Sequence, residues 1–151
     1  MSFEVSTKPY AIQSHCKEGF MEYSIKPSEE GDCIILKVVG EFTAKSMLKC
    51  TVEAHTLGQE MDIHWYFVDV TNARNIDTPY NNYKFAYQDL KMTEGTDPLA
   101  KVVCLVSPDD HSHDFIETVA YNAGVNAGII LKLFREPAEA KAYLAKMTSQ
   151  K

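Results

Sequence analysis

The chain has 151 residues, 45% hydrophobic and 24% charged, with a formal net charge of −6. That length suits one domain with one substantial core, and the composition is too apolar for a disordered chain. The acidic balance excludes a long nucleic-acid groove, since phosphate binding is dominated by Lys and Arg, although local basic residues can still bind one anion.

The start, Met1-Ser2-Phe3-Glu4-Val5, has neither the basic nor the apolar region of a signal peptide. No apolar run approaches the roughly 20 residues that span a bilayer, so a cytoplasmic protein without a transmembrane segment is expected. Cys16, Cys33, Cys50 and Cys104 are irregularly spaced and form no C-x-x-C. They read as reduced thiols, with Cys33 and Cys104 in the core, rather than as a disulfide or metal set.

Residues 1–20 show no clean period and read as an N-terminal extension to a domain over 21–147, with 148–151 as a tail. Residues 21–26 alternate apolar and polar, predicting a strand with one wet face. A turn at 29–32 then leads into an apolar strand over 33–39, so the pair forms a hairpin. Gly40 breaks that strand, and Thr43 caps a helix that should end near Gly58. Ala44, Met47, Leu48, Thr51, Ala54 and His55 fall on one side of it.

Bulky β-formers over 63–70 predict a third strand, and residues 71–77 read as a loop. Thr78-Pro79 opens a second helix, because a Thr N-cap followed by Pro at the first helical position is a favoured pairing. That helix places Tyr83, Ala86, Tyr87 and Leu90 on one face, with Phe85 and Met92 opposite. A strand over 101–107 follows. Asp109 or Asp110 caps a third helix whose inward face is Phe115, Ile116, Val119, Ala120 and Ala123. A fifth strand over 128–134 leads to a last helix opened by Glu136-Pro137, with Ala140, Tyr143, Leu144 and Met147 as its stripe. The order ββαβαβαβα implies an α/β domain: a five-stranded, mostly parallel sheet, an N-terminal antiparallel hairpin and four helices.

Three stretches carry a family likeness. They are Ile35-Leu36-Lys37-Val38-Val39-Gly40-Glu41-Phe42-Thr43-Ala44, Trp65-Tyr66-Phe67-Val68-Asp69-Val70-Thr71, and Leu133-Phe134-Arg135-Glu136-Pro137-Ala138-Glu139-Ala140 followed by Tyr143-Leu144. Together with the element order they resemble the STAS domain (sulphate transporter and anti-sigma factor antagonist), in its SpoIIAA-like branch, over residues 21–147. The resemblance implies a non-catalytic regulatory or carrier domain without a cofactor. Its partner would be a small apolar, lipid-like molecule, as in SEC14-like domains of related fold, or a protein.

In phospho-regulated anti-sigma factor antagonists a strand-end Asp is followed eight residues later by an Asp-Ser pair, and that Ser is phosphorylated. Here Asp69 is followed by Asp77, with Thr78 in the place of the Ser. The resemblance thus makes Thr78 a candidate phosphoacceptor, although Pro79 and Tyr80 stand where the family has small residues and Gly. The residues alone make Thr78 an N-cap. The expected binding region is 71–85: Asp69, Asp77 and Thr78 set the helix entry, while Tyr80, Tyr83 and Phe85 supply apolar contact. Self-association through Phe85 and Met92 stays open.

His111 and His113, with Asp109, Asp110 and Asp114, are the densest cluster of metal-ligand types, and they carry the alternative of a metal-assisted enzyme. Residues two apart do not share a helix face, so a polar, acidic helix start fits them better. His55 and His64 read as packed or edge histidines. No G-x-S-x-G, Gly-rich phosphate loop or H-E-x-x-H occurs, so a catalytic reading has no nominated nucleophile and no metal is expected.

Overall fold

The computed structural model describes residues 16–18, 20–85, 93–114 and 130–149. Its elements are β1 (Cys16–Glu18), β2 (Met21–Pro27), β3 (Ile34–Phe42), α1 (Ala44–Met61), β4 (Trp65–Asn75), α2 (Pro79–Lys84), β5 (Lys101–Leu105), β6 (Ile130–Phe134) and α3 (Pro137–Thr148). The sheet runs in the order β1-β2-β3-β4-β5-β6. The β1–β2 and β2–β3 pairs are antiparallel, and β3 to β6 are parallel.

The expected hairpin, parallel sheet and α/β class are present. The sheet gains one short strand, β1, within the stretch read as an extension. Three helices lie among the described residues. Of the third helix expected after Asp109 or Asp110, the start is not helical: residues 112–114 form a turn, with the Asp114 N–H donating to the His111 carbonyl oxygen at 3.1 Å. The part from 115 falls outside the described residues, as do Ala86, Tyr87, Leu90 and Met92, expected on the second helix.

Strand alternation explains the two layers. On β2 and β3, Met21, Tyr23, Ile25, Ile34, Leu36 and Val38 face one way and are buried, whereas Glu22, Lys26, Lys37 and Val39 face the other and are exposed. The buried face packs on Cys50, Ala54 and Leu57 of α1, forming the main core with Tyr66 and Val70 of β4. On the opposite face, Phe67, Val103 and Leu105 form a smaller core with Ala140, Tyr143 and Leu144 of α3.

Several boundaries differ from the sequence expectation. Gly40 does not break its strand: β3 runs through it to Phe42, with Gly40 paired to Met21 and Ala73. The helix from Thr43 continues past Gly58 to Met61 and ends at Asp62, whose φ of 57° is left-handed. Gly58 serves close packing instead: a Cβ there would lie 2.6 Å from the Ile63 carbonyl oxygen and would collide with the Tyr66 hydroxyl. The helix stripe also omitted Cys50 and Leu57, both buried.

The stretch 71–75, read as loop, prolongs β4. After an irregularity between Lys37 and Val39 it pairs with β3 from Val39↔Asn72 to Phe42↔Asn75. Asp69 Oδ1 accepts from the Thr71 N–H at 3.0 Å and the Thr71 hydroxyl at 2.7 Å, satisfying the strand beside that irregularity. Pairing with β3 thereby overrides the turn-like composition of Thr71-Asn72-Ala73-Arg74-Asn75. β5 likewise stops at Leu105, short of the expected Ser107.

Candidate functional site

The C-terminal ends of β3 and β4 deliver the chain into α1 and α2. Each helix starts on a threonine in extended conformation. Thr43 Oγ1 accepts from the Ser46 N–H at 3.3 Å, and Ser46 Oγ accepts from the Thr43 N–H at 2.9 Å, completing a reciprocal capping box. Thr78 Oγ1 accepts from the Asn81 N–H at 3.1 Å, with Pro79 at the first helical position as expected.

Asp77 joins the two starts. Its Oδ2 accepts the Ala44 N–H at 2.7 Å, across 33 residues of sequence. Its Oδ1 accepts the Thr78 N–H at 2.7 Å and the Asn81 Nδ2 amide at 2.8 Å. Partial burial acts to raise its pKa, but these donors outweigh it and hold the carboxyl below the ordinary value. One carboxylate therefore satisfies an orphan N–H of α1 and fixes the entry of α2.

Behind Asp77 runs a chain of amide contacts. Asn75 Oδ1 accepts the Asp77 N–H at 3.0 Å, and Asn75 Nδ2 donates to Oδ1 of the buried Asn82 at 3.1 Å. The Asn75 N–H donates to Ser112 Oγ at 3.1 Å, linking the loop after β5 to this corner. An open cleft of about 330 Å³ lies between the helices, lined by Ala44, Lys45, Leu48, Asp77, Asn81 and Lys84. Ile76 and Tyr80 are exposed beside it, at 50% and 74% of their surface.

Of the nominated residues, Asp77, Thr78 and Tyr80 come together at the entry of α2. Phe85, at its C-terminal cap, is half-buried; Tyr83 is on the helix, but its side chain lies outside the described residues. Asp69 is set apart: among the described residues its hydrogen-bond partner is Thr71, so it braces β4 rather than the helix entry. Asn75, Asn81 and Asn82 lie inside the expected 71–85 region but were not singled out, and Ala44 lies outside it. The density of amides in Asn72 to Asn82 was the available signal for three of them, whereas a backbone N–H such as that of Ala44 leaves none.

The histidine cluster does not converge. His111 is exposed, with Nδ1 2.9 Å from Asp114 Oδ2, and Arg135 pairs with the same carboxylate at 2.9 Å. His113 is fully buried against Phe42, and its Nε2 donates to the Ala73 carbonyl oxygen at 3.1 Å. Among the described residues no three His, Cys, Asp or Glu side chains are grouped to hold a metal ion, and no helix is long and apolar enough to cross a membrane.

No protein-family model and no curated protein matches the chain. Solved structures to which it is similar include an anti-sigma factor antagonist from Mycobacterium paratuberculosis, 9% identical, with a TM-score of 0.48 over 83% of this chain and 94% of that one. Another is an uncharacterized protein of the DUF3478 family with a SpoIIAA-like fold, from Shewanella loihica PV-4. It is 16% identical, with a TM-score of 0.49 over 85% of this chain and 97% of that one.

Proposed function

We propose that the chain is a cytoplasmic, non-catalytic regulatory domain that docks a protein partner on the corner where α1 and α2 begin. The observation that carries this reading is the Asp77 bridge. A carboxylate with three N–H donors holds both helix entries in a fixed relation, and that rigidity favours a binding surface. The neighbouring surface combines apolar contact from Ile76 and Tyr80 with the polar rim of Lys45, Asn81 and Lys84. This corner also lies outside the carboxyl ends of parallel strands, where open α/β sheets bind their ligands. A small apolar ligand is the competing reading, and the open, lysine-flanked cleft supports it less than it supports a protein surface.

The test is a photo-crosslinker at position 80, with a control at the exposed Lys141 on α3. A partner caught from position 80 alone, and lost when Thr78→Ala is added to a folded chain, supports the proposal. Equal capture from both positions overturns it. Native mass spectrometry against the denatured mass tests the competitor, since a small molecule that co-purifies and leaves on denaturation would replace the protein partner.

Thr78 gives a second reading a specific footing. Its residue is exposed at the entry of α2, beside the Asp77 carboxylate. A phosphate there would add nearly two negative charges next to Asp77 and oppose the bridge to Ala44. A kinase that adds one phosphate to the wild-type chain and none to Thr78→Ala would support this switch; an unmodifiable Thr78 removes it.

A further inference from the structure

We propose that Asp97, His55 and His64 form an acid-sensitive latch on residues 93–100, the segment that feeds the chain into β5. The latch sits where β4 and β5 begin, at the opposite end of these strands from the Asp77 corner. It goes beyond the docking reading and does not depend on it.

The Asp97 side chain is 1% exposed. Its Oδ2 accepts the Tyr66 hydroxyl at 2.7 Å and lies 2.7 Å from His64 Nδ1, while its Oδ1 accepts the Leu99 N–H at 2.9 Å. The Asp97 N–H donates to His55 Nδ1 at 2.8 Å. One residue thereby ties the segment to α1 through His55 and to β4 through Tyr66, and to the turn before β4 through His64.

The partners fix the protons. A backbone N–H can only donate, so His55 Nδ1 presents its lone pair and the ring is neutral. A carboxylate only accepts, so His64 Nδ1 carries hydrogen; its Nε2, 3.1 Å from Asp62 Oδ1, carries the other when the ring is charged. The two histidines thus need opposite treatment by the same Asp97. Protonating His55 turns its acceptor into a donor aimed at a donor. It also places a cation in a buried site against the Tyr66 ring, 4.4 Å between centroids.

Among the described residues, the titratable groups facing His55 are Tyr66 from β4 and Asp97 from the segment. Those facing His64 are Asp97 and, from the end of α1, Asp62. Burial pushes His55 down to about 4, with the Asp97 charge offsetting only part of that. His64 is raised, chiefly by its hydrogen bond to Asp97. Because the folded His55 value lies below 6.5, its contribution is complete above 6.5 and is lost as the pH falls towards 4. His64 acts in the other sense, with a contribution that is full below 6.5 and lost as the pH rises through its folded value. The latch is therefore tightest between acid and alkali, and acid releases it through His55.

The experiment is amide hydrogen exchange between about pH 7 and pH 4 on the full chain and on His55→Asn, whose amide oxygen can accept from the Asp97 N–H without titrating. In the wild type, protection factors at Asp97, Leu99 and Ala100 should fall on the order of a hundredfold, the ratio expected when a group moves from 6.5 to about 4 on closure. Leu36 and Val38 in the core should keep theirs, and His55→Asn should hold the segment closed. Equal loss in both chains, retained protection in the wild type, or loss in step with the core amides would each overturn the latch. If His55→Asn does not fold, imidazole NMR of the wild type decides: His55 resisting protonation to well below 6.5 supports the latch, and an ordinary titration overturns it.

Discussion

Asp77 Oδ2 accepts the Ala44 N–H at 2.7 Å, so a side chain that opens α2 also caps the first helical residue of α1. Thr43 and Ser46 already satisfy other groups at that end, and Asp77 supplies what local sequence cannot. The two helix starts therefore stand or fall together.

Removing that carboxylate should be felt at both helices. Asp77→Ala is expected to cost about 2 kcal/mol, in the range for hydrogen bonds from backbone N–H groups to a charged acceptor. The Asp77 pKa is held below its ordinary 3.8, so the ionised carboxylate stabilises above that value and its contribution is lost as the pH falls through the folded value. Urea midpoints of wild type and variant should accordingly differ at about pH 7 and converge at strongly acid pH. A constant gap would mean that Asp77 acts by packing instead.

Thr78→Ala should cost about 1 kcal/mol, the usual value of an N-cap, and Thr78→Ser should recover most of it because the hydroxyl acceptor for Asn81 returns. Chemical denaturation measures both. A loss well above a single cap would indicate that Thr78 also braces Asp77, whose Oδ1 accepts the Thr78 N–H.

These helix entries were largely legible in the sequence, because Thr43 and Thr78-Pro79 signal their role through local chemistry. So was the succession of strands along the chain: alternation marked the wet face of β2, whereas β3, read as an apolar strand, also alternates, with Lys37 and Val39 exposed. What failed was information that exists only across the chain. Thr71 to Asn75 has a loop composition, yet it pairs with Val39 to Phe42 once β3 lies beside it. Gly58 looked like a stop, but Tyr66 explains it from a neighbouring strand. The Asp97 cluster was invisible for the same reason, as His55, His64, Tyr66 and Asp97 become neighbours only through the crossover from α1 to β4 and β5.

The role assigned to Gly58 is itself testable. In an open helix Gly→Ala gains roughly 1 kcal/mol from propensity. Here the added Cβ meets the Tyr66 ring and the Ile63 carbonyl oxygen, which is backbone and cannot swing aside. Gly58→Ala is expected to be destabilised by about 1–3 kcal/mol, the cost of overpacking. It should also disturb the Tyr66–Asp97 hydrogen bond. Urea unfolding gives the sign directly, and a stabilised variant would show that β4 yields more readily than the packing implies.

The thiols offer a check on the core. Burial pushes Cys33 up to about 11, and both Cys50 and Cys104 up to about 12. Thiolate is the reactive form, so each is starved of it at neutral pH as well as shielded from reagent. In a Cys16→Ser chain, which removes the remaining cysteine, a soluble disulfide reagent should therefore label the native protein only as fast as it opens. Denaturant should release Cys50 and Cys104 in one cooperative step, with Cys33 reacting earlier through fraying at the ends of β2 and β3. Cys33 is the best placed to do so: it lies at the hairpin turn, where the Cys33 N–H donates to Ser28 Oγ at 3.2 Å, whereas Cys50 lies within α1 and Cys104 on β5, paired with Val68 of β4 and Leu133 of β6. Rapid labelling of Cys50 or Cys104 without denaturant would contradict the packing of α1 on the sheet.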